Sequence, residues 1–576
     1  MNIVLTAINA KYIHSNLAVY SLRAYARKYK EEYKEEITIA EYTINQQLDD
    51  ILTDLYKKKP DVLCFSCYIW NLSYVEELVR EVKKIFSNLP IWLGGPEVSY
   101  DAKDVLRRLP EVTGVMMGEG EETFSELVQF YHGENIQLGD IAGIAYRTVD
   151  GEVAENPWRS VIDLSTVPFV YQDMADFKNK IIYYESSRGC PFSCSYCLSS
   201  VDKCLRFRSL DLVKQELQFF IDEEVPQVKF VDRTFNCNHK HAMEIWKYLI
   251  EHDKGITNFH FEVAADLLNE EEIRLIETMR PGLIQLEIGV QSTNEETIRE
   301  IKRTMKFSEV ARIVNRINKN GNVHQHLDLI AGLPYEGLES FQKSFDDVYR
   351  LYPEQLQLGF LKVLKGSYME EMKESYGLVY KSRPPYEVLY TNWLSYDELL
   401  VLKMVEEMVE VYYNSGQFSY TLHHLEKEFV SPFELYLQLG RYYEEHNLHL
   451  MSHSRITRYE LLLGFIQSLH TQEEQLYREL LTLDLYLREN VKNRPEFAGE
   501  YKVDKETLNE FYETEADEHK FLKGYEGFDK RQLRKMTHIE KFYFDVLGSC
   551  EPKENMILFD YENRSRLTHQ ASTFMI

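Results

Sequence analysis

Cysteine is scarce in this chain. Eight residues in 576 cannot build a disulfide scaffold, so the thiols are expected to be reduced, as in the cytoplasm, and able to ligate metal. Long apolar runs are missing too: the longest, Val62 to Trp70, falls far short of the ~20 residues that span a bilayer, and no membrane association is expected. The first residues, Asn2-Ile3-Val4-Leu5-Thr6-Ala7, lack a basic n-region and a cleavage site and enter a strand pattern instead of a targeting signal. Positive charge is in deficit, with 66 lysines and arginines against 93 aspartates and glutamates, a formal charge of −27. A field of that sign repels phosphate backbones, so no nucleic-acid partner is expected. There is no internal repeat and no low-complexity tract.

What is present is an ordinary globular balance, 44% apolar and 28% charged, with 40 tyrosines. The length favours about three or four domains. Residues 2–8, 61–69, 90–94 and 113–117 read as short buried strands with helices between them, such as Ser15 to Lys30 and Tyr74 to Phe86. That alternation predicts a doubly wound, Rossmann-like parallel sheet over 1–150. A connector over 151–180 follows a hairpin around Asp150-Gly151. A second alternation, with strands near 181–186, 227–232, 258–263, 283–290 and 323–331, predicts a full or partial β/α barrel over 181–384. Residues 385–576 read as mainly helical. Ser395-x-x-Glu398 is a capping box, Leu402, Val405, Val409 and Tyr412 share the face of the helix it opens, and Gly416 stops it; Ser431-Pro432-x-Glu434 opens another helix, expected to end near Gly440.

The strongest chemical signal is Cys190, Cys194 and Cys197 in C-x3-C-x2-C spacing, directly after a predicted strand. A loop leaving the C-terminal end of such a strand sits over a barrel mouth, where catalytic groups collect. Three thiolates can hold three corners of an iron–sulfur cubane and leave the fourth iron open. The alternative is a structural zinc loop. It needs a fourth ligand, and Cys204, His239 and His241 do not stand at zinc-ribbon spacing.

This loop resembles that of the radical S-adenosylmethionine (radical SAM) superfamily, C-x3-C-x-aromatic-C, with Tyr196 at the aromatic position. Val228 to Asn236, Glu287 to Ser292 and His326 to Pro334 look like further strand segments of that family, in the right order. The resemblance covers roughly 181–365. It implies a 4Fe–4S cluster on the three cysteines and S-adenosylmethionine on the open iron. Tyr196 would lie near adenine, Asp232 near the methionine moiety, Glu287, Gln291 and Ser292 near ribose or carboxylate, and Gly332 where backbone approaches adenine.

In an open α/β sheet, ligands bind beyond the carboxyl ends of the strands. Those ends here carry Gly94-Gly95-Pro96 and Gly118-Glu119-Gly120-Glu121. Taken with the second domain, residues 1–150 look like the cobalamin-binding domain of the largest radical SAM subgroup, with Gly94, Gly95, Gly118 and Gly120 at the ligand. Tyr12-Ile13-His14-Ser15-Asn16-Leu17 lacks the acid and the glycine of the D-x-H-x-x-G cobalt motif. His14 therefore reads as a surface or capping residue, and cobalamin is expected to be held with no protein histidine below the cobalt. Cys64 and Cys67 lie within an apolar strand and point to opposite faces. Cys204, Cys237 and Cys550 form no second cluster motif, and His239, His241, His423 and His424 are assigned no role. Leu356 to Ser367 and the helices after Pro385 resemble an uncharacterised extension of one bacterial branch.

The resemblance implies an enzyme that cleaves S-adenosylmethionine to methionine and a 5′-deoxyadenosyl radical, with methyl transfer to an unactivated carbon as the favoured outcome. Rearrangement or cyclisation is the alternative, and a non-catalytic cobalamin or redox sensor is the reading from another class. A tRNA methylthiotransferase would need a second amino-terminal three-cysteine cluster and a basic face. The expected partners are a small-molecule or peptide substrate and an electron donor such as flavodoxin or ferredoxin.

Overall fold

A computed structural model describes every residue except 30–35, 201–202 and 500. It divides into two compact units: Met1–Ile317 with Ile330–Gly337 and Gly359–Tyr396, and Asn318–Leu329 with Leu338–Leu358 and Asp397–Ile576.

The first unit opens with seven strands: β1 (Ile3–Asn9), β2 (Ile37–Thr43), β3 (Val62–Ser66), β4 (Ile91–Gly94), β5 (Gly114–Met116), β6 (Ile144–Arg147) and β7 (Val153–Glu155). They lie in the order β2-β1-β3-β4-β5-β6-β7. The first five are parallel, and the β6–β7 hairpin adds antiparallel to the β5 edge. Every residue of β1 is buried, as befits a central strand covered on both faces. Helix Leu48–Lys58 carries Asp49 and Asp50 in its first turn and Lys57 and Lys58 in its last, a charge order that suits the helix dipole. Its Ile51 and Leu55 join Val75, Val79 and Val82 of helix Leu72–Ile85 in one core with Val4, Leu63, Ile91 and Val115. Each such side chain contributes about 1.5–3 kcal/mol of burial. The predicted helix Ser15 to Lys30 spans Leu17–Tyr29, and Lys30 lies outside the described residues. Strand β2 was not expected from the sequence. As an edge strand it mixes buried Ile37, Ala40 and Tyr42 with less buried Thr38, Ile39, Glu41 and Thr43, so neither a long apolar run nor a strict alternation announces it.

In the same unit, β8 (Ile182–Tyr184), β9 (Ser187–Arg188), β10 (Arg206–Phe207), β11 (Gln227–Phe230), β12 (Asn258–Val263) and β13 (Ile284–Gln291) follow. β8, β11, β12 and β13 are adjacent and parallel. Strand alternation sends Val228, Phe230, Phe259, Phe261, Ile284, Leu286 and Ile288 to one buried face. Tyr183, Lys229, His260 and Glu287 go to the other. The strands His324–Ala331 and Gln355–Phe360 come next in the chain. The second of these covers the first part of the segment Leu356 to Ser367.

The second unit is mainly helical. Helix Tyr396–Met408 continues into the π-helical turn Val409–Tyr413, with Leu402, Val405, Val409 and Tyr412 buried. Ser431 caps helix Pro432–Glu445 by accepting from Glu434 N, but the helix runs past Gly440. A Cβ at Gly440 would stand 2.5 Å from Met404 Cγ, so this glycine permits close helix packing and is not a stop. A three-stranded antiparallel sheet, Thr537–Phe544, Pro552–Arg564 and Ala571–Met575, closes the chain. Its interleaved charges hid it from the sequence reading. Among the described residues, no helix is long and apolar enough to cross a membrane.

Candidate functional site

The cysteine loop leaves the end of β8 and returns at β10. Its base is a two-residue antiparallel ladder pairing Arg188 with Arg206 and Ser187 with Phe207. Gly189 follows at φ +92°, and a Cβ there would meet the Cys204 carbonyl oxygen at 2.7 Å. Only glycine lets the two arms close. The middle of the loop is anchored by Ser195 N donating to Ile301 O and by Met369 N donating to Ser195 O, both at 2.9 Å. Cys190 and Cys194 are buried, Cys197 is half-buried, and none of the eight cysteines is in a disulfide. Burial pushes the Cys190 thiol up, and neighbouring Cys197 and Cys194 add to it. A metal that takes up thiolates would relieve this crowding.

Beside the loop lies an arginine that the sequence reading missed. Arg303 Nη1 reaches Cys194 Sγ at 3.8 Å and donates to Tyr196 Oη at 3.4 Å, while Nη2 donates to Gly289 O at 2.5 Å. Gln291, at the end of β13, has φ +72°. The Gln291 Oε1, Arg303 Nε and Ser195 Oγ atoms are buried without a hydrogen-bond partner among the described residues. Orphaned polar atoms of this kind, gathered around three thiols, fit a polar ligand. Amino, carboxylate and ribose groups of S-adenosylmethionine would satisfy them.

Four residues expected at the cofactors have partners within the protein. Asp232 is fully buried, and its carboxylate accepts from Ser186 N at 2.9 Å and from the Ser186 and Ser187 hydroxyls at 2.6 Å each. It pins the start of the cysteine loop. Burial raises its pKa to about 6. Glu287 sits inside β13, four residues before the strand ends, and its Oε2 lies 2.9 Å from both Lys229 Nζ and His260 Nε2. Ser292 donates to Glu336 Oε1 at 2.6 Å. Gly332 has φ +88°, and a Cβ there would meet Val388 Cγ1 at 2.8 Å, so the chain segment that approaches it belongs to the protein. His241, given no role from sequence, is buried. Its Nε2 lies 2.9 Å from Ser186 Oγ, and burial lowers its pKa to about 4.

The carboxyl ends of β1, β3, β4 and β5 open on a cavity of about 1130 Å³. Gly94, Gly95, Gly118 and Gly120 line it, as do Ser187, Arg188, Gly189, Leu198 and Ser199 of the cysteine loop. Gly95 has φ +113°, and a Cβ would stand 2.5 Å from the Cys67 carbonyl oxygen. That glycine serves the chain's own packing at the cavity wall, while the cavity has the space a flat macrocycle needs. His14 also lines the cavity and is half-buried. Its Nδ1 lies 2.6 Å from Tyr183 Oη, and burial lowers its pKa. Cys64 and Cys67 are fully buried, Cys64 in the cavity wall and Cys67 in the core, and burial raises Cys64 to about 12. Neither offers a thiolate at neutral pH.

Three family models match the chain: B12 binding domain over 3–128, radical SAM superfamily over 184–348, and a protein of unknown function, DUF4080, over 374–559. Among curated proteins, the 2-(S-pantetheinyl)-carbapenam-3-carboxylate methyltransferase of Streptantibioticus cattleyicolor is 26% identical, covering 49% of this chain and 44% of the relative. The anaerobic magnesium-protoporphyrin IX monomethyl ester cyclase of Rubrivivax gelatinosus is 22% identical, covering 54% of this chain and 58% of the relative. The chain thus spans about half the length of these relatives. The solved structure of the cobalamin-dependent S-adenosylmethionine radical enzyme OxsB, with aqua-cobalamin and S-adenosylmethionine bound, aligns at TM-score 0.59 and 16% identity over 83% of this chain and 78% of that one, which shows a shared fold. The chain thus carries, in order, a match to the B12 binding domain, a match to the radical SAM superfamily and a match to DUF4080.

Proposed function

We propose that this protein is a cobalamin-dependent radical SAM methyltransferase acting on an unactivated carbon of a small-molecule or peptide substrate. The observation that carries the reading is the shared cavity, where the cysteine loop and the four cradle glycines face one space. Relatives named as a methyltransferase and as a cyclase support this class of chemistry. When bound, a cluster supplies the electron that cleaves S-adenosylmethionine, and cobalamin carries the methyl group.

The protein's own residues bind, orient and shield. Cys190, Cys194 and Cys197 would hold the cluster, and Arg303 sets a positive charge beside Cys194 and Tyr196. Tyr196, Gln291 and Ser195 would take up S-adenosylmethionine; Gln291 Oε1 and Ser195 Oγ are buried polar atoms without a partner among the described residues. Gly94, Gly95, Gly118 and Gly120 would seat the corrin. Lys229, Glu287 and His260 give the inner face of the second sheet a polar lining for the substrate. An electron donor such as flavodoxin or ferredoxin, in a reducing compartment, completes the reaction.

The test is anaerobic reconstitution followed by iron, sulfide and cobalt analysis, then incubation with reductant and methyl-labelled S-adenosylmethionine. Iron and cobalt incorporation, 5′-deoxyadenosine and transfer of the label to the corrin are expected. Deoxyadenosine without methyl transfer would favour rearrangement or cyclisation. Neither product would favour a sensor, and zinc at the three cysteines would overturn the reading.

A further inference from the structure

Between the cobalamin cradle and the cysteine loop lies one arginine whose five N–H donors are all engaged. Arg188 Nε donates to Glu185 Oε1 at 2.9 Å, and Nη2 donates to Glu185 Oε2 at 2.8 Å and to Glu121 Oε1 at 2.7 Å. Its Nη1 donates to Glu119 Oε1 at 3.1 Å and to Glu121 Oε2 at 3.4 Å. Glu119 also pairs with Arg206, which faces Arg188 across the ladder at the loop base, and its Oε2 accepts from Ile162 N at 2.9 Å. Glu121 is buried; burial opposes its charge, yet Arg188 holds its carboxyl below the usual range.

The positions of these groups in the chain matter more than their number. Glu119 and Glu121 belong to the Gly118–Glu121 turn, whose glycines line the cavity. Glu185 follows β8, and Arg188 stands two residues before Cys190. One guanidinium fork therefore joins the turn that would hold a corrin to the loop that would hold a cluster. Resting on the function proposed above, we infer that Arg188 is a positioning residue through which the two cofactor sites are energetically coupled. A corrin against the turn fixes Glu119 and Glu121; these fix Arg188, and Arg188 fixes the base of the cysteine loop. The ordering of the loop is then incurred once for two ligands, so each cofactor strengthens the other's binding by the same factor. Lysine cannot substitute, because an ammonium lacks the planar fork that spans three carboxylates.

The experiment measures the affinity of the full chain for hydroxocobalamin under anaerobic conditions, in cluster-loaded protein and after iron chelation, with iron content determined on each sample. Wild type is expected to bind more tightly when the cluster is present, by ~5-fold or more. In Arg188→Lys and in the near-isosteric Glu121→Gln the ratio of the two affinities falls to about one, whatever the absolute affinity. A merely structural role would weaken both affinities and leave the ratio unchanged, and that result overturns the inference. So does a wild-type ratio of one. Should Arg188→Lys fail to fold, Glu121→Gln and Glu185→Gln carry the test. Failure of wild type to bind hydroxocobalamin in either form would overturn the proposed function itself, and the coupling with it.

Discussion

Replacing Asp232 by asparagine distinguishes a residue that supports the cysteine loop from one that touches the methionine moiety. The carboxylate titrates near 6 against an ordinary 3.8, raised by burial. Its contribution to stability is full below about 3.8 and is lost as pH rises through about 6; at about 1.4 kcal/mol per pH unit that is roughly 3 kcal/mol. His241, joined to it through Ser186, titrates near 4 against 6.5, lowered by burial. Its contribution is present above 6.5 and is lost as pH falls through about 4, again roughly 3 kcal/mol. Between pH 4 and 6.5 the two slopes oppose each other, so the wild-type loop is expected to show an almost flat profile. Asp232→Asn removes one slope and exposes the other, so local stability should fall by roughly 3 kcal/mol as pH is lowered across that window. The assay is hydrogen exchange of the amides around Ser186 in cofactor-depleted protein, which reads local opening without assuming a single transition. A flat profile in Asp232→Asn, together with weaker S-adenosylmethionine binding by otherwise unaltered protein, would refute the reasoning and return Asp232 to the ligand.

Other outcomes follow from the same geometry. Alanine at Cys190, Cys194 or Cys197 should abolish 5′-deoxyadenosine formation and lower bound iron, measured by metal analysis. Gly95→Ala puts a Cβ 2.5 Å from the Cys67 carbonyl oxygen at φ +113°; strain of about 1–2 kcal/mol for a left-handed residue, with the clash added, should weaken hydroxocobalamin binding at least ~10-fold by equilibrium titration. Asp484 is fully buried, accepts from Tyr420 N, Thr421 N and the Thr421 hydroxyl, and titrates near 7 because of burial. Stability of the second unit should therefore decline as pH rises from about 4 through 7, and thermal unfolding of Asp484→Asn should lose that decline.

The cysteine loop, the strand–helix alternation and the glycine turns could be read from sequence because each is local: a spacing, a period or a paired glycine within a dozen residues. Arg303 could not, since its partners Cys194 and Tyr196 lie more than a hundred positions away. Arg188 similarly depends on acids near position 120 that sequence assigns only to a turn. His241 has no role that sequence assigns, and only the packing of helix His239–His252 shows that it is buried. Edge strands escaped for a different reason. β2 and the strands of the carboxyl-terminal sheet mix polar with apolar residues without a strict alternation, so they are visible only once a neighbouring strand is known.

The distribution of indole rings has a practical consequence. Of the five tryptophans, Trp92 and Trp246 are fully buried, and Trp393 packs against Tyr335 and Tyr376. Trp70 and Trp158 line the cavity and are 41% and 49% exposed. A coloured macrocycle settling there would quench those two emitters. The protein thus carries its own optical gauge of corrin loading, readable before any substrate has been found.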